Sequence, residues 1–136
     1  MAWHTDYLAD GAYVRFSGAT TGDDIVRANT HFYEHAYKSG PRFCVFDFSD
    51  VDEFNVDRTA VERVAAQDVV AAAAALPELI VAVVAPQLAP YGMSRMWEMQ
   101  VAETGWRTKV MRSRAEAFAW LEQHGIATDP FPTLQT

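Results

Sequence analysis

Short apolar runs alternate along the chain with stretches in which apolar residues recur every three or four positions, a pattern that predicts strands followed by helices. Residues 3–8 and 12–17 read as two strands, and Ala9-Asp10-Gly11 between them supplies the turn residues of a short hairpin. At Thr20-Thr21-Gly22-Asp23-Asp24 the pattern changes to a helix start, with acidic residues where the helix dipole favours them. Ile25, Ala28, Phe32 and Ala36 then form the apolar stripe of a half-buried helix that runs to about Lys38 and stops at Ser39-Gly40-Pro41.

The run 43–48 is nearly all apolar and too short for a helix, as suits a strand covered on both faces. The acidic crowd after it reads as the turn that delivers a second helix, opened by the capping box Thr59-Ala60-Val61-Glu62 and ended near Leu76 by Pro77. That helix has a core stripe of Val61, Val64, Ala65, Val69, Ala72, Ala73 and Leu76. Val70, Ala71, Ala74 and Ala75 make its later half apolar on nearly every side, which predicts cover by its own sheet and by something else. Residues 79–85 form another buried strand. A Pro- and Gly-rich loop over 86–92 leads to a third helix at 93–104, stopped by Gly105. Residues 107–111 alternate like an edge strand, and the capping box Ser113-Arg114-Ala115-Glu116 starts a fourth helix that runs through Gln123 and ends at Gly125. The predicted architecture is a single α/β domain over 1–125. Its order is β-β-α-β-α-β-α-β-α, with a mixed, mainly parallel sheet and right-handed crossovers. Residues 126–136 carry two prolines and no period, and read as a loose or docked C-terminal extension.

Composition narrows the function classes. A chain of 136 residues supports one core. Its net charge of −7, with eleven scattered Lys and Arg, disfavours nucleic acid, which needs a basic stripe. The single cysteine, Cys44, lies inside an apolar run and so belongs to no intramolecular disulfide or multi-cysteine metal site. No apolar stretch approaches the roughly 18 residues of a membrane span, and the N-terminal residues lack a secretory pattern, so a cytoplasmic location is expected.

Two clusters suggest chemistry. Asp47, Asp50, Asp52, Glu53 and Asp57 gather at the carboxyl end of a buried strand, where open α/β sheets tend to place ligands. They read either as an acid-base or metal site or as turn residues and helix caps, with Asn55, Asp57 or Thr59 as the cap. The glycine of a calcium-binding loop is missing. His31-Phe32-Tyr33-Glu34-His35 matches the H-x-x-E-H zinc pattern. On the helix wheel, however, its histidines align with Asp24, Arg27, Glu34 and Lys38 on the solvated face. Neither a G-x-S-x-G elbow, a P-loop nor a G-x-G-x-x-G is present. Met93, Met96, Trp97 and Met99 span more than one face of the third helix, which fits core packing, a subunit interface or an apolar cleft.

The order of elements resembles the SpoIIAA-like superfamily, which includes the STAS domains and anti-sigma-factor antagonists. FDFSDVDEF closes the first parallel strand and EAFAWLEQH lies in the last helix, and the resemblance covers residues 7–124. Its most telling piece is Asp47-Phe48-Ser49-Asp50-Val51. In antagonist members a similar strand leads to an Asp-Ser-Ser-Gly stretch in which one serine is phosphorylated and controls partner binding. Here Asn55-Val56-Asp57-Arg58 stands there, with Asp57 at the phosphoacceptor position as a fixed negative charge, so the sequence is similar to the branch that lacks the serine and has no assigned activity. The resemblance implies a non-catalytic module, needing no cofactor or metal, that binds a protein partner or its own copy. The binding residues expected are Ser49, Asp50, Asp57 and Arg58 with Tyr91, Met96 and Trp97. A homodimer would cover the second side of the second helix. Two alternatives remain: binding of an apolar or lipid-like small molecule between the second and third helices, and an enzyme using the carboxylates from Asp47 to Asp57.

Overall fold

A computed structural model describes residues 2–132. The elements are β1 (Trp3–Leu8), β2 (Gly11–Thr21), α1 (Gly22–Ser39), β3 (Phe43–Asn55), α2 (Arg58–Ala74), β4 (Ile80–Val84), α3 (Leu88–Gln100), β5 (Arg107–Met111) and α4 (Arg114–Gln123). The strands form one sheet in the order β1-β2-β3-β4-β5. β1 pairs antiparallel with β2 and every later pairing is parallel, which gives the mixed, mainly parallel sheet predicted. Strand alternation divides the core in two. Cys44, Phe46, Val81 and Val83 face α1, α2 and α3, whereas Phe43, Val45, Ile80 and Ala82 face α4. Ile126 and Phe131 join that second layer, so the C-terminal residues are docked as far as they are described. The rest of the predicted extension, 133–136, lies outside the described residues.

Local chemistry explains the helix ends. Thr21 accepts the Asp24 amide while Asp24 reaches back to the Thr21 amide, a complete capping box for α1. Gly40 closes α1 at φ 60°, a left-handed position suited to glycine. Gly22 permits a close approach, since a Cβ there would stand 2.4 Å from the Ala60 Cβ. The starts of α1 and α2 therefore pack nearly backbone to side chain.

Several boundaries and faces depart from the sequence reading. β3 continues to Asn55 instead of ending at Phe48, because β2 itself runs on to Thr21 and pairs with it through Ser17↔Asp50, Ala19↔Glu53 and Thr21↔Asn55, across two register shifts. The residues read as a turn are thus strand, with Val51 buried and Asp50, Asp52 and Glu53 exposed. α2 begins at Arg58, capped by Asp57, whose carboxylate accepts the Ala60 amide at 2.9 Å; the Thr59 capping box does not form because the acid takes the cap two residues earlier. The buried face of α2 is Ala60, Val61, Val64, Ala65, Asp68, Ala71 and Ala72, while Val69 and Ala73 are exposed. A carboxylate occupies the position that completes the helical period. α3 starts at Leu88, five residues earlier than predicted, with Pro90 in its first turn. An amide there has no intrahelical acceptor, so proline is tolerated.

Candidate functional site

Asp47 is the last β3 residue with a strand partner on both sides, Arg15 on β2 and Val84 on β4. Only 1% of it is exposed, so its carboxylate must be satisfied internally. One oxygen accepts the Tyr13 hydroxyl at 2.5 Å and Arg114 Nε at 2.7 Å; the other accepts the Ser49 amide at 2.9 Å and the Ser49 hydroxyl at 2.6 Å. Arg114 Nη2 also reaches the exposed Asp50 at 3.1 Å. Burial disfavours the charged guanidinium, but hydrogen bonding to Asp47 and the charges of Asp47 and Asp50 outweigh it and hold the Arg114 pKa above its ordinary value. Burial, and then the adjacent carboxylate, push the Tyr13 phenol up, so it stays a donor. The ion pair pins the first turn of α4 to the centre of the sheet.

Neighbouring connections are tied to the same end of the sheet. Gln87 Nε2 donates to the Val51 carbonyl at 3.0 Å, standing where an adjacent strand would place an amide. Arg112 donates to the Pro86 carbonyl from Nε at 3.1 Å and from Nη2 at 2.7 Å, and its guanidinium lies 5.0 Å from the centre of the Tyr91 ring.

These contacts sort the candidate residues. Ser49 and Asp50 belong to the Asp47–Arg114 network. Asp57 caps α2, and Arg58 is exposed in its first turn. Tyr91 is half-buried beneath Arg112, and Met96 packs half-buried against the core. Trp97 points inward, with its Nε1 donating to Asp68 at 2.7 Å. The structure thus joins Ser49 with Asp50, and places Trp97 in a separate, interior network.

That interior network escaped the sequence reading. Asp68 is 3% exposed, and its carboxylate accepts from Asn29 Nδ2 at 2.9 Å, from the Tyr33 hydroxyl and from Trp97. Three donors from α1 and α3 therefore converge on one acid of α2. Burial pushes the Asp68 pKa up to about 6, with the three hydrogen bonds pulling the other way. A signal did exist, since Asp68 falls on the apolar face of its helix, where a charge demands partners. Arg114 carried a weaker one: a cation in a first helical turn opposes the dipole unless an anion holds it.

Among the described residues no group of three or more His, Cys, Asp and Glu could hold a metal. His31 and His35 instead lie against β1, with the Tyr7 hydroxyl bonded to His31 Nδ1 at 2.5 Å and the Tyr7 ring stacked on His35 at 3.9 Å.

Between α2 and α3, bounded also by the start of α1 and by β3, lies an apolar pocket of about 50 Å³ that is partly open to solvent. Val61, Val64, Phe46, Phe48 and Trp97 form much of its wall, and Ser94 supplies a hydroxyl. At about 50 Å³ it is small beside the roughly 300–1,000 Å³ of pockets that bury drug-sized ligands.

No helix among the described residues is long and apolar enough to cross a membrane. No known family model matches the chain, and no curated protein sequence does. Solved structures do. The anti-sigma factor antagonist SpoIIAA in its unphosphorylated form superposes with a TM-score of 0.59 at 13% identity, over 92% of this chain and 100% of that one. An uncharacterised protein of the DUF3478 family with a SpoIIAA-like fold, from Shewanella loihica PV-4, gives 0.53 at 15% identity, over 88% and 92%. The Bacillus cell fate determinant SpoIIAA in its phosphorylated form gives 0.51 at 9% identity, over 88% and 99%. The fold is SpoIIAA-like.

Proposed function

We propose, from the SpoIIAA-like fold as premise, that this chain is a non-catalytic regulatory module that acts by binding protein at the β3–α2 junction. The observation that carries the proposal is how its carboxylates are used. Asp47 is buried and fully occupied by Tyr13, Ser49 and Arg114, Asp50 is held by the same guanidinium, and Asp57 caps a helix. An acid-base catalyst needs a carboxylate that a substrate can reach; Asp47, buried and occupied on both oxygens, does not offer one. What the junction offers outward is an ordered surface of Asp50, Asp52, Glu53 and Arg58. At this junction the Asp57 side chain is already committed to the helix end, where it accepts the Ala60 amide.

A second copy is a further partner on this reading. α2 keeps Val69 and Val70 exposed, Val70 at 65%, beside an open groove against α1 that Tyr37 and Ala66 help to line.

A photocrosslinking residue at position 58, with the same residue at position 122 on α4 as control, tests the partner reading in cells of the source organism. The expected result is a defined adduct from position 58 alone, lost when Asp50 and Asp52 are changed to Asn. Equal adducts from both positions, or none from position 58, would refute it. Light scattering tests the second copy, with a dimer expected at micromolar concentration and a monomer for Val70→Glu. A wild-type monomer removes this partner.

A further inference from the structure

We infer that Asn29, Gln67 and Thr30 relay the charge state of the buried Asp68 to the open groove between α1 and α2, reversing the direction of their hydrogen bonds when Asp68 takes up a proton. The contacts form one unbroken line. Asn29 Nδ2 donates both to Asp68 at 2.9 Å and to Gln67 Oε1 at 3.1 Å, Gln67 Nε2 donates to the Thr30 hydroxyl at 2.9 Å, and that hydroxyl donates to the Val26 carbonyl at 2.9 Å. Asp68 and Asn29 are buried, whereas Gln67, Thr30 and Val26 border the groove.

Asp68 differs from Asp47 in having no cation. The interior beside it is walled by Phe32, Cys44, Phe46 and Trp106, and no Lys, Arg or His among the described residues lines it. The other titratable groups there, the Cys44 thiol and the Tyr33 phenol, are pushed up by burial and stay protonated, so Asp68 alone changes charge. At the outer end Glu34 and Arg63 border the groove, and His31 follows Thr30 in the chain.

Ionised, the carboxylate accepts from Asn29, Tyr33 and Trp97. Protonated, it needs an acceptor of its own, and the three neighbours differ in what they can supply. The Trp97 indole can only donate. The Tyr33 hydroxyl could accept, but its own proton would then lose the one acceptor it has, which is costly for a buried hydroxyl. Turning over the Asn29 amide puts Oδ1 where Nδ2 stood, within reach of Asp68, with no change in volume. Gln67 then turns over too, presenting Nε2 to Asn29 and Oε1 to Thr30, and the Thr30 hydroxyl swings from the Val26 carbonyl to Gln67. Tyr33 and Trp97 go on donating to the acid. Only the bond from Thr30 to Val26 is lost, and it lies where solvent can replace it. With the Asp68 pKa at about 6, the outward line prevails at pH 7 and the reversed one at pH 5, each by about ten to one. This groove is the one offered above to a second copy, but the relay does not depend on that copy.

Side-chain NMR of the full chain between about pH 4.5 and 8 tests this. The Gln67 amide, the Thr30 methyl and the Trp97 indole N–H should titrate with one midpoint of about 6. Asp68→Asn should abolish that titration at all three. Gln67→Leu, on the half-buried rim, should silence Thr30 while Trp97 still titrates. The inference is overturned if Gln67 or Thr30 stays flat in the wild type, if the Thr30 shift survives Asp68→Asn undiminished and so comes from His31, or if it persists in Gln67→Leu.

Discussion

Replacing Arg114 by Met should destabilise the protein by about 3 kcal/mol, at the lower end of the 3–5 kcal/mol expected when one partner of a buried ion pair is removed. The lower end applies because Asp47 keeps three neutral donors, the Tyr13 hydroxyl and the Ser49 amide and hydroxyl. The side-chain stem is roughly replaced by that of Met, so little of the loss comes from packing. The contact with Asp50 adds under about 1 kcal/mol, since that carboxylate is solvated. With a urea slope of about 2 kcal/mol per M, the midpoint should fall by roughly 1.5 M, read from tryptophan fluorescence at pH 7. The variant Asp47→Asn in the Arg114→Met background should recover part of the loss, because no buried charge remains, giving a coupling of about 1–3 kcal/mol. A loss under about 1 kcal/mol, or additive single and double variants, would refute the view that this pair is what fixes α4 to the sheet.

Other expectations concern the second network and the helix ends. Asp68 has a folded pKa of about 6, raised from 3.8, so it contributes stability that is fully present below pH 3.8 and lost as pH rises through 6. The shift of roughly two units corresponds to about 3 kcal/mol, and Asp68→Asn should remove that share of the pH dependence between pH 4 and 6 in urea unfolding. An unchanged difference curve would contradict the burial argument. Tyr33→Phe deletes one of the three donors to Asp68 and should raise its pKa further, visible in a carboxyl carbon titration by NMR. Asp57→Ala should cost about 0.5–2 kcal/mol through loss of the α2 cap, while Asp57→Ser costs less; calorimetric Tm values compare them.

Local periodicity carried most of the architecture. The buried runs around Val45 and Ala82 could only be strands, and the stripe from Ile25 to Ala36 only a helix, because each pattern is written in neighbouring residues. β3 was harder. Its continuation past Phe48 depends on β2 lying alongside, more than thirty residues earlier, and a polar run with one buried valine looks like a turn until that partner is placed. The capping of α2 by Asp57 was among the options the residues left open, yet the competing Thr59 box could be set aside only once the Ala60 amide was seen to point at Asp57. The candidate residues at positions 49 and 50 were found as part of an acidic cluster, but their organiser, Arg114, lies 64 residues beyond Asp50 and no local rule connects them. Asp68 was missed for the opposite reason: a stripe traced through apolar residues alone steps over the one charged residue that shares its face.

From Phe48 to Asn55, β3 is bordered by β2 on one side and, among the described residues, by no strand on the other. Such a rim invites another chain to pair with it. Asp50, Asp52 and Glu53 stand along it, exposed, and Gln87 occupies the Val51 carbonyl. In any copy-to-copy pairing along this rim two rows of carboxylates would face each other. The acidic segment therefore sets like-charge repulsion against edge-to-edge pairing of the sheet.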